Sequence, residues 1–229
     1  MFAQVINVAR DVYWITCRDH YTLGMIFWRA QEAFDGHWAE ENPDVVPTLV
    51  NYMEWYASQS ESGAFSYPVD WVGYNLTKKD LRKIYNDTEL PDKNKYDEFM
   101  SGVIQMVEAS QGDRNYCVIG TRVGDRSTLK HELAHSFWAL DKDYKDAQKA
   151  FIEKLPTALY KEFSTCLQDM GYAKTSVNDE LQAYCSADLA EPVLTEKTKG
   201  QRAKICKPFL TTLNNKLITA GLEHLIDKD

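Results

Sequence analysis

Ten consecutive residues, Thr128-Leu129-Lys130-His131-Glu132-Leu133-Ala134-His135-Ser136-Phe137, carry the chemistry most easily read from this 229-residue chain. They contain the pattern H-E-x-x-H. On an α-helix, residues four apart are separated by one turn plus about 40°, so His131 and His135 project from one face and can grip one cation. Neutral imidazole suits Zn²⁺, at about 2.0–2.1 Å. Glu132 lies about 100° round the helix from His131, where its carboxylate can flank the ion and take a proton from a water held there. The plainer account is a pair of ordinary helix histidines, one facing the core and one the surface. Two of only five histidines in the chain are used here. The pattern is expected by chance about 0.007 times in a chain of this composition. Its flanks also fit an active-site helix with a buried back: positions 133, 134 and 136 are uncharged and 137 is apolar.

The stretch resembles the active-site helix of the zincin metallopeptidases. That resemblance implies that His131 and His135 bind zinc, that Glu132 is general base and proton shuttle, and that a third ligand comes from further along the chain. It covers ten residues, so it speaks to site chemistry more than to whole-chain architecture. Metzincin-like proteins extend the pattern to H-E-x-x-H-x-x-G-x-x-H, but here Trp138 and Asp141 stand at the glycine and final-ligand positions. Trp disfavours the glycine-type backbone such a short return needs, which leaves Asp141 as runner-up. The gluzincin-like arrangement takes a Glu from a second helix. Asn178-Asp179-Glu180-Leu181-Gln182-Ala183-Tyr184 supplies Glu180 as the preferred third ligand, ahead of Glu153, Glu162 and Asp179. Asp179 can instead accept a hydrogen bond from a ligand histidine. Tyr184, four residues after Glu180, shares its helix face. It is either packing or a donor to a developing oxyanion, with Tyr172 and Tyr144 in reserve. His20, His37 and His224 have no motif around them and read as structural.

The expected function is therefore a zinc metallopeptidase, gluzincin-like, acting on a peptide or protein substrate through a metal-activated water with Glu132 as general base and Tyr184 assisting. Two other classes stay open: a zincin-fold interaction or regulatory protein with little or no proteolysis, and a metal-dependent hydrolase of a non-peptide amide. Binding zinc structurally does not require Glu132, so its presence favours an enzyme.

These residues need elements to hold them. Gln4–Cys17 reads as one or two strands, and residues 22–34 place Leu23, Ile26, Phe27, Ala30 and Phe34 at helical spacing. Helices are expected over 48–57, after an N-cap at Thr77–Asp80, and over 96–109. The stretch Gly63–Gly73, with Trp71 to Tyr74 at its end, reads as an aromatic-rich ordered loop. Asn115–Arg122 is the clearest strand, and the motif helix follows with Ser127 or Thr128 as cap. Further helices are expected at 144–154, 157–170, from Ser176 to about 189, and 203–220. The pattern predicts a helix-rich α+β chain: a region 1–112 packed on a zincin-like catalytic region 113–229 with a small sheet and an active-site helix. An extended substrate would pair with an edge strand of that sheet, to which 115–122 belongs.

Composition narrows the classes. Apolar residues are 44% and charged residues 26%, near the soluble globular average, and 12% aromatics argue against intrinsic disorder. A net charge of −8 disfavours binding to nucleic acid or an anionic membrane. The most basic stretch, Lys197–Lys207, reads as a solvated loop and helix start. Five scattered cysteines without a C-x-x-C pair fit buried thiols in a reducing compartment. The N-terminal residues lack a signal-peptide pattern, and no apolar run is long enough to span a bilayer, so the cytoplasm is the expected location.

Overall fold

A computed structural model of the chain describes residues 3–34, 37–43, 45–85, 89–194 and 198–226, without the side chains of Phe34, His37 and Glu191. It is α+β and helix-rich, and the chain divides into two compact units, Met1–Gly124 and Asp125–Asp229.

The first unit runs β1 (Ala3–Ala9), β2 (Val12–Cys17), α1 (His20–Phe34), α2 (His37–Glu41), α3 (Leu49–Gln59), α4 (Tyr67–Asp70), β3 (Gly73–Thr77), α5 (Lys78–Tyr85), α6 (Lys95–Gln111) and β4 (Cys117–Arg122). Its sheet has the order β1-β2-β4-β3. β2 pairs with β4 in parallel, and the other two pairings are antiparallel. Asp11 makes the tight β1–β2 connection at φ 62°, a left-handed conformation that Asp tolerates better than most residues. The apolar run Cys117–Ile119 reads as a continuous hydrophobic stretch because β4 is buried between neighbours on both sides. Its ladder positions are filled, so 115–122 is an interior strand and the sheet's edges are β1 and β3. The small sheet expected in the C-terminal region lies in this unit instead.

α1 packs on the sheet. Gly120 of β4 permits the close approach: a Cβ there would lie 2.4 Å from the Phe27 ring, which itself stacks on Tyr74 at 4.8 Å. Tyr74 is therefore core packing. Buried Arg29 on α1 holds Asp97 on α6 with two bonds, at 2.8 and 3.0 Å. The segment read as a loop over 63–73 contains α4 and leads into β3. Neither was expected, nor was α2, because four or five residues are too few to establish a period.

The second unit is helical: α7 (Arg126–Leu140), α8 (Lys142–Ile152), α9 (Thr157–Asp169), α10 (Val177–Ser186) and α11 (Arg202–Thr219). The stretch Lys197–Lys207 begins outside the described residues and runs into α11. Asp125, rather than Ser127 or Thr128, caps α7, accepting from the Thr128 amide at 3.0 Å and its hydroxyl at 2.8 Å. α10 is the central element, packing against α7, α8, α9 and α11. Leu181 and Ala183 of α10 and Leu133 and Ala134 of α7 are fully buried. Small residues on both helices suit a close approach. Among the described residues no helix is long and apolar enough to cross a membrane.

Candidate metal centre

Residues 128–138 of α7 are buried on every side, His131, Glu132 and His135 included. Spacing puts the two imidazoles one turn apart, and their rings sit nearly perpendicular with centroids at 4.7 Å. Across from them, Glu180 lies in the first turn of α10. The His131 and His135 Nε2 atoms are 3.1 Å apart, and Glu180 Oε2 lies 3.7 Å from the first and 3.6 Å from the second. A circle through those three atoms has a radius of about 2.0 Å, the Zn–N and Zn–O bond length; the edges of a tetrahedral zinc site are about 3.3–3.4 Å. Glu180 Oε2 is buried and has no hydrogen-bond donor, which is costly for a carboxylate unless a cation faces it. The donor set therefore fits one divalent ion. Among the described residues, these three form the grouping of metal-ligand side chains found within such reach.

Electrostatics around the trio is polarised. His135 Nδ1 lies 2.9 Å from Asp179 Oδ1. Burial opposes a charge on His135, but Asp179 and Glu180 together outweigh it and lift its pKa well above the ordinary value. His131 goes the other way, lowered to about 3, first by burial and then by the charge of His135. The carboxylate of Asp179 accepts from His135 Nδ1–H, and the two Nε2 atoms face each other at the distance of an N–H···N bond. A divalent ion held by both Nε2 atoms would take the place of the proton between them. Burial also lifts Glu132 to about 8, with His135 opposing and Glu180 and Asp179 adding to the rise.

Comparison of the chain with models of known protein families, with curated proteins and with solved structures returns no match. The functional conclusion rests on the geometry of the chain itself.

The other sequence candidates have settled places. Asp141, the runner-up ligand, is not in the cluster: one oxygen caps α8 through the amides of Asp143 (2.9 Å) and Tyr144 (3.0 Å), and the other pairs with Lys216. Glu153 ends α8, and Glu162 accepts from the Thr198 hydroxyl at 2.8 Å. Asp179 is the histidine's acceptor. Tyr184 presents its ring to His131 at 4.8 Å, edge to face, and its hydroxyl meets that of Tyr172 at 3.0 Å. Tyr144, a reserve donor, gives its proton to Gln182 Oε1 at 3.0 Å and so cannot serve an oxyanion. His20 opens α1 and His224 lies in a terminal turn, both outside the cluster. The side chain of His37 is outside the described ones.

Sequence reasoning missed what stands behind Asp179. Gln182 donates to Asp179 Oδ1 at 3.0 Å and accepts from Tyr144, which in turn accepts from Gln148 at 2.8 Å; Gln148 also reaches Ser186 at 3.0 Å. The one available signal is the i,i+4 spacing of 144/148 and of 182/186, which marks one face on each helix but does not say that the faces meet.

Proposed function

We propose that the second unit is a zinc-dependent hydrolase of peptide bonds, gluzincin-like in its ligand set. The observation that carries this is the close triangle of His131, His135 and Glu180 with the carboxyl of Glu132 on the same buried helix. Zinc held by these three side chains supplies a Lewis acid that polarises a carbonyl and acidifies a water.

Glu132 accepts the proton from the attacking water and passes it to the leaving amine. Its pKa of about 8 lies close enough to neutrality for both transfers, and a positive ion nearby brings it lower. Tyr184 is raised above its ordinary pKa, first by burial. It therefore keeps its proton and can donate to the carbonyl oxygen as charge develops there, while Tyr172 orients it. A structural zinc site has no use for Glu132. A peptide or protein substrate, without nucleic acid or membrane, and the cytoplasm belong to the same proposal, which five cysteines outside any disulfide support.

The test uses a reduced, alkylated, unfolded protein as substrate for the zinc-loaded chain. Wild type is expected to cleave it, and Glu132→Gln to keep its zinc while losing about 10²–10⁴ in rate. Zinc binding without cleavage of any peptide would overturn the proposal in favour of a binding module.

A further inference from the structure

A second site lies in the first unit, far in sequence from the metal ligands. A surface cavity of about 410 Å³ opens between α2, α3 and α4, within the size range of small-ligand pockets. Its walls are two carboxylates, Glu41 and Asp70, and two aromatic side chains, Trp55 and Tyr56, with Gln59, Ser60 and Ser66 completing the rim. Among the described residues no Lys or Arg lines it.

The carboxylates are held by neutral donors. Trp55 Nε1 donates to Glu41 Oε2 at 2.7 Å, and the Tyr56 and Ser66 hydroxyls donate to Asp70 Oδ2 at 2.6 and 2.7 Å. Neither acid has a cationic partner among the described residues, and the other oxygen of each is left for a ligand. Indole and phenol donors orient these charges without neutralising them. Glu108 on the same unit is different: it pairs with Arg82 at 2.7 Å.

The aromatic walls are preformed. Trp55 and Tyr56 have centroids 6.4 Å apart with planes at 64°. Behind them Trp55 stacks on Tyr52 at 5.7 Å, and Tyr56 meets Phe65 edge-on at 5.8 Å. Two fixed π faces at a steep angle, beside two oriented anions, form a receptor for positive charge on an apolar stem. Free carboxylate and hydroxyl oxygens add acceptors for N–H groups.

We propose that this cavity binds an alkyl cation bearing N–H donors, a protonated primary amine or a guanidinium, with its charge between Glu41 and Asp70 and its stem on Trp55 and Tyr56. The same chemistry is presented by a free amine and by a basic side chain of a peptide. The site is independent of zinc.

The test titrates the full chain with n-butylammonium, Nα-acetyl-lysine methylamide and Nα-acetyl-arginine methylamide, reading heat and the Trp55 indole N–H resonance, assigned through Trp55→Phe. Neutral 1-butanol and N–H-free tetramethylammonium are the controls. Saturable binding of at least one N–H cation is expected, with both controls about tenfold weaker or worse. Glu41→Gln and Asp70→Asn are each expected to weaken it about three- to tenfold, while His131→Ala leaves it unchanged. A preference for n-butylammonium over the blocked amino acids assigns a free amine, and the reverse assigns a peptide side chain. The amides introduced can still accept from Trp55 and Tyr56, so both variants should fold, which near-ultraviolet circular dichroism checks. No saturable shift at Trp55, butanol or tetramethylammonium binding equally well, or affinity unchanged in both carboxylate variants would overturn the proposal.

Discussion

The Nε2 atoms of His131 and His135 face each other at 3.1 Å, the distance of an N–H···N bond. Zinc bound at both nitrogens would displace the proton of that bond, and Glu132, raised to about 8, would lose much of its proton as the ion arrives. Zinc titrations in buffers of different ionisation enthalpy at pH 7 are thus expected to show between one and two protons released per ion. Release of none would contradict the protonation pattern. Glu132 also ties stability to pH. Its carboxyl moves from 4.5 to about 8 on folding, so both states are protonated below 4.5. Between those values the unfolded chain sheds its proton first, and stability falls as pH rises, by up to about 1.4 kcal/mol per unit. In metal-free urea unfolding, Glu132→Gln should remove that slope; a difference from wild type that stays flat from pH 4.5 to 8 would count against it. The two aspartates separate cleanly. Asp179→Asn should weaken zinc about 10–100-fold. Asp141→Ala should leave zinc affinity unchanged and cost about 1–2 kcal/mol through the lost α8 cap. At this scale the sequence was legible where chemistry demands fixed spacing. His131, Glu132 and His135 announce one another, whereas Glu180 was found only by asking what two imidazoles still require.

α10 gathers the site's supporting groups. Asp179, Glu180, Gln182 and Tyr184 lie within two turns of it, and the chain Gln182–Tyr144–Gln148 carries its polar face into α8. Gln182→Ala would strip Asp179 of a donor and Tyr144 of its acceptor inside a buried region. It is expected to destabilise by about 1–3 kcal/mol and to lower zinc affinity through a looser His135, which chemical denaturation and calorimetry would report. In the first unit, Gly120→Ala drives a methyl into Phe27, at 2.4 Å. It is expected to cost about 1–3 kcal/mol or more; an unchanged denaturation midpoint would mean that α1 does not lie so close on β4. The long helices were legible from apolar spacing because each repeats its period several times. β3, α2 and α4 were not, since elements of four or five residues are fixed by tertiary partners such as Phe27 under Tyr74 rather than by local pattern. Asp125 displaced the expected caps because its carboxylate reaches both the amide and the hydroxyl of Thr128.

Taken whole, the chain is a helix-rich α+β protein, a class its mixture of periods already implied. The sequence pattern divides the chain at 112/113 and assigns the strand 115–122 to the second part, whereas the structure keeps that strand in the first unit. The strand that precedes the motif helix closes the first unit's sheet as an interior member, because parallel pairing with β2 and antiparallel pairing with β3 are set by partners distant in sequence. Among its described residues the second unit is left all-helical, with the candidate metal ligands, Glu132 and Tyr184 on α7 and α10. The measurement that bears most directly on this account is the zinc content and X-ray absorption spectrum of the full chain beside its His131→Ala, His135→Ala and Glu180→Ala forms. One zinc per chain is expected, with two imidazole nitrogens and a carboxylate oxygen at about 2.0–2.1 Å, and each substitution should strip or weaken it sharply. A spectrum without imidazole scattering, or undiminished zinc in all three variants, would contradict it.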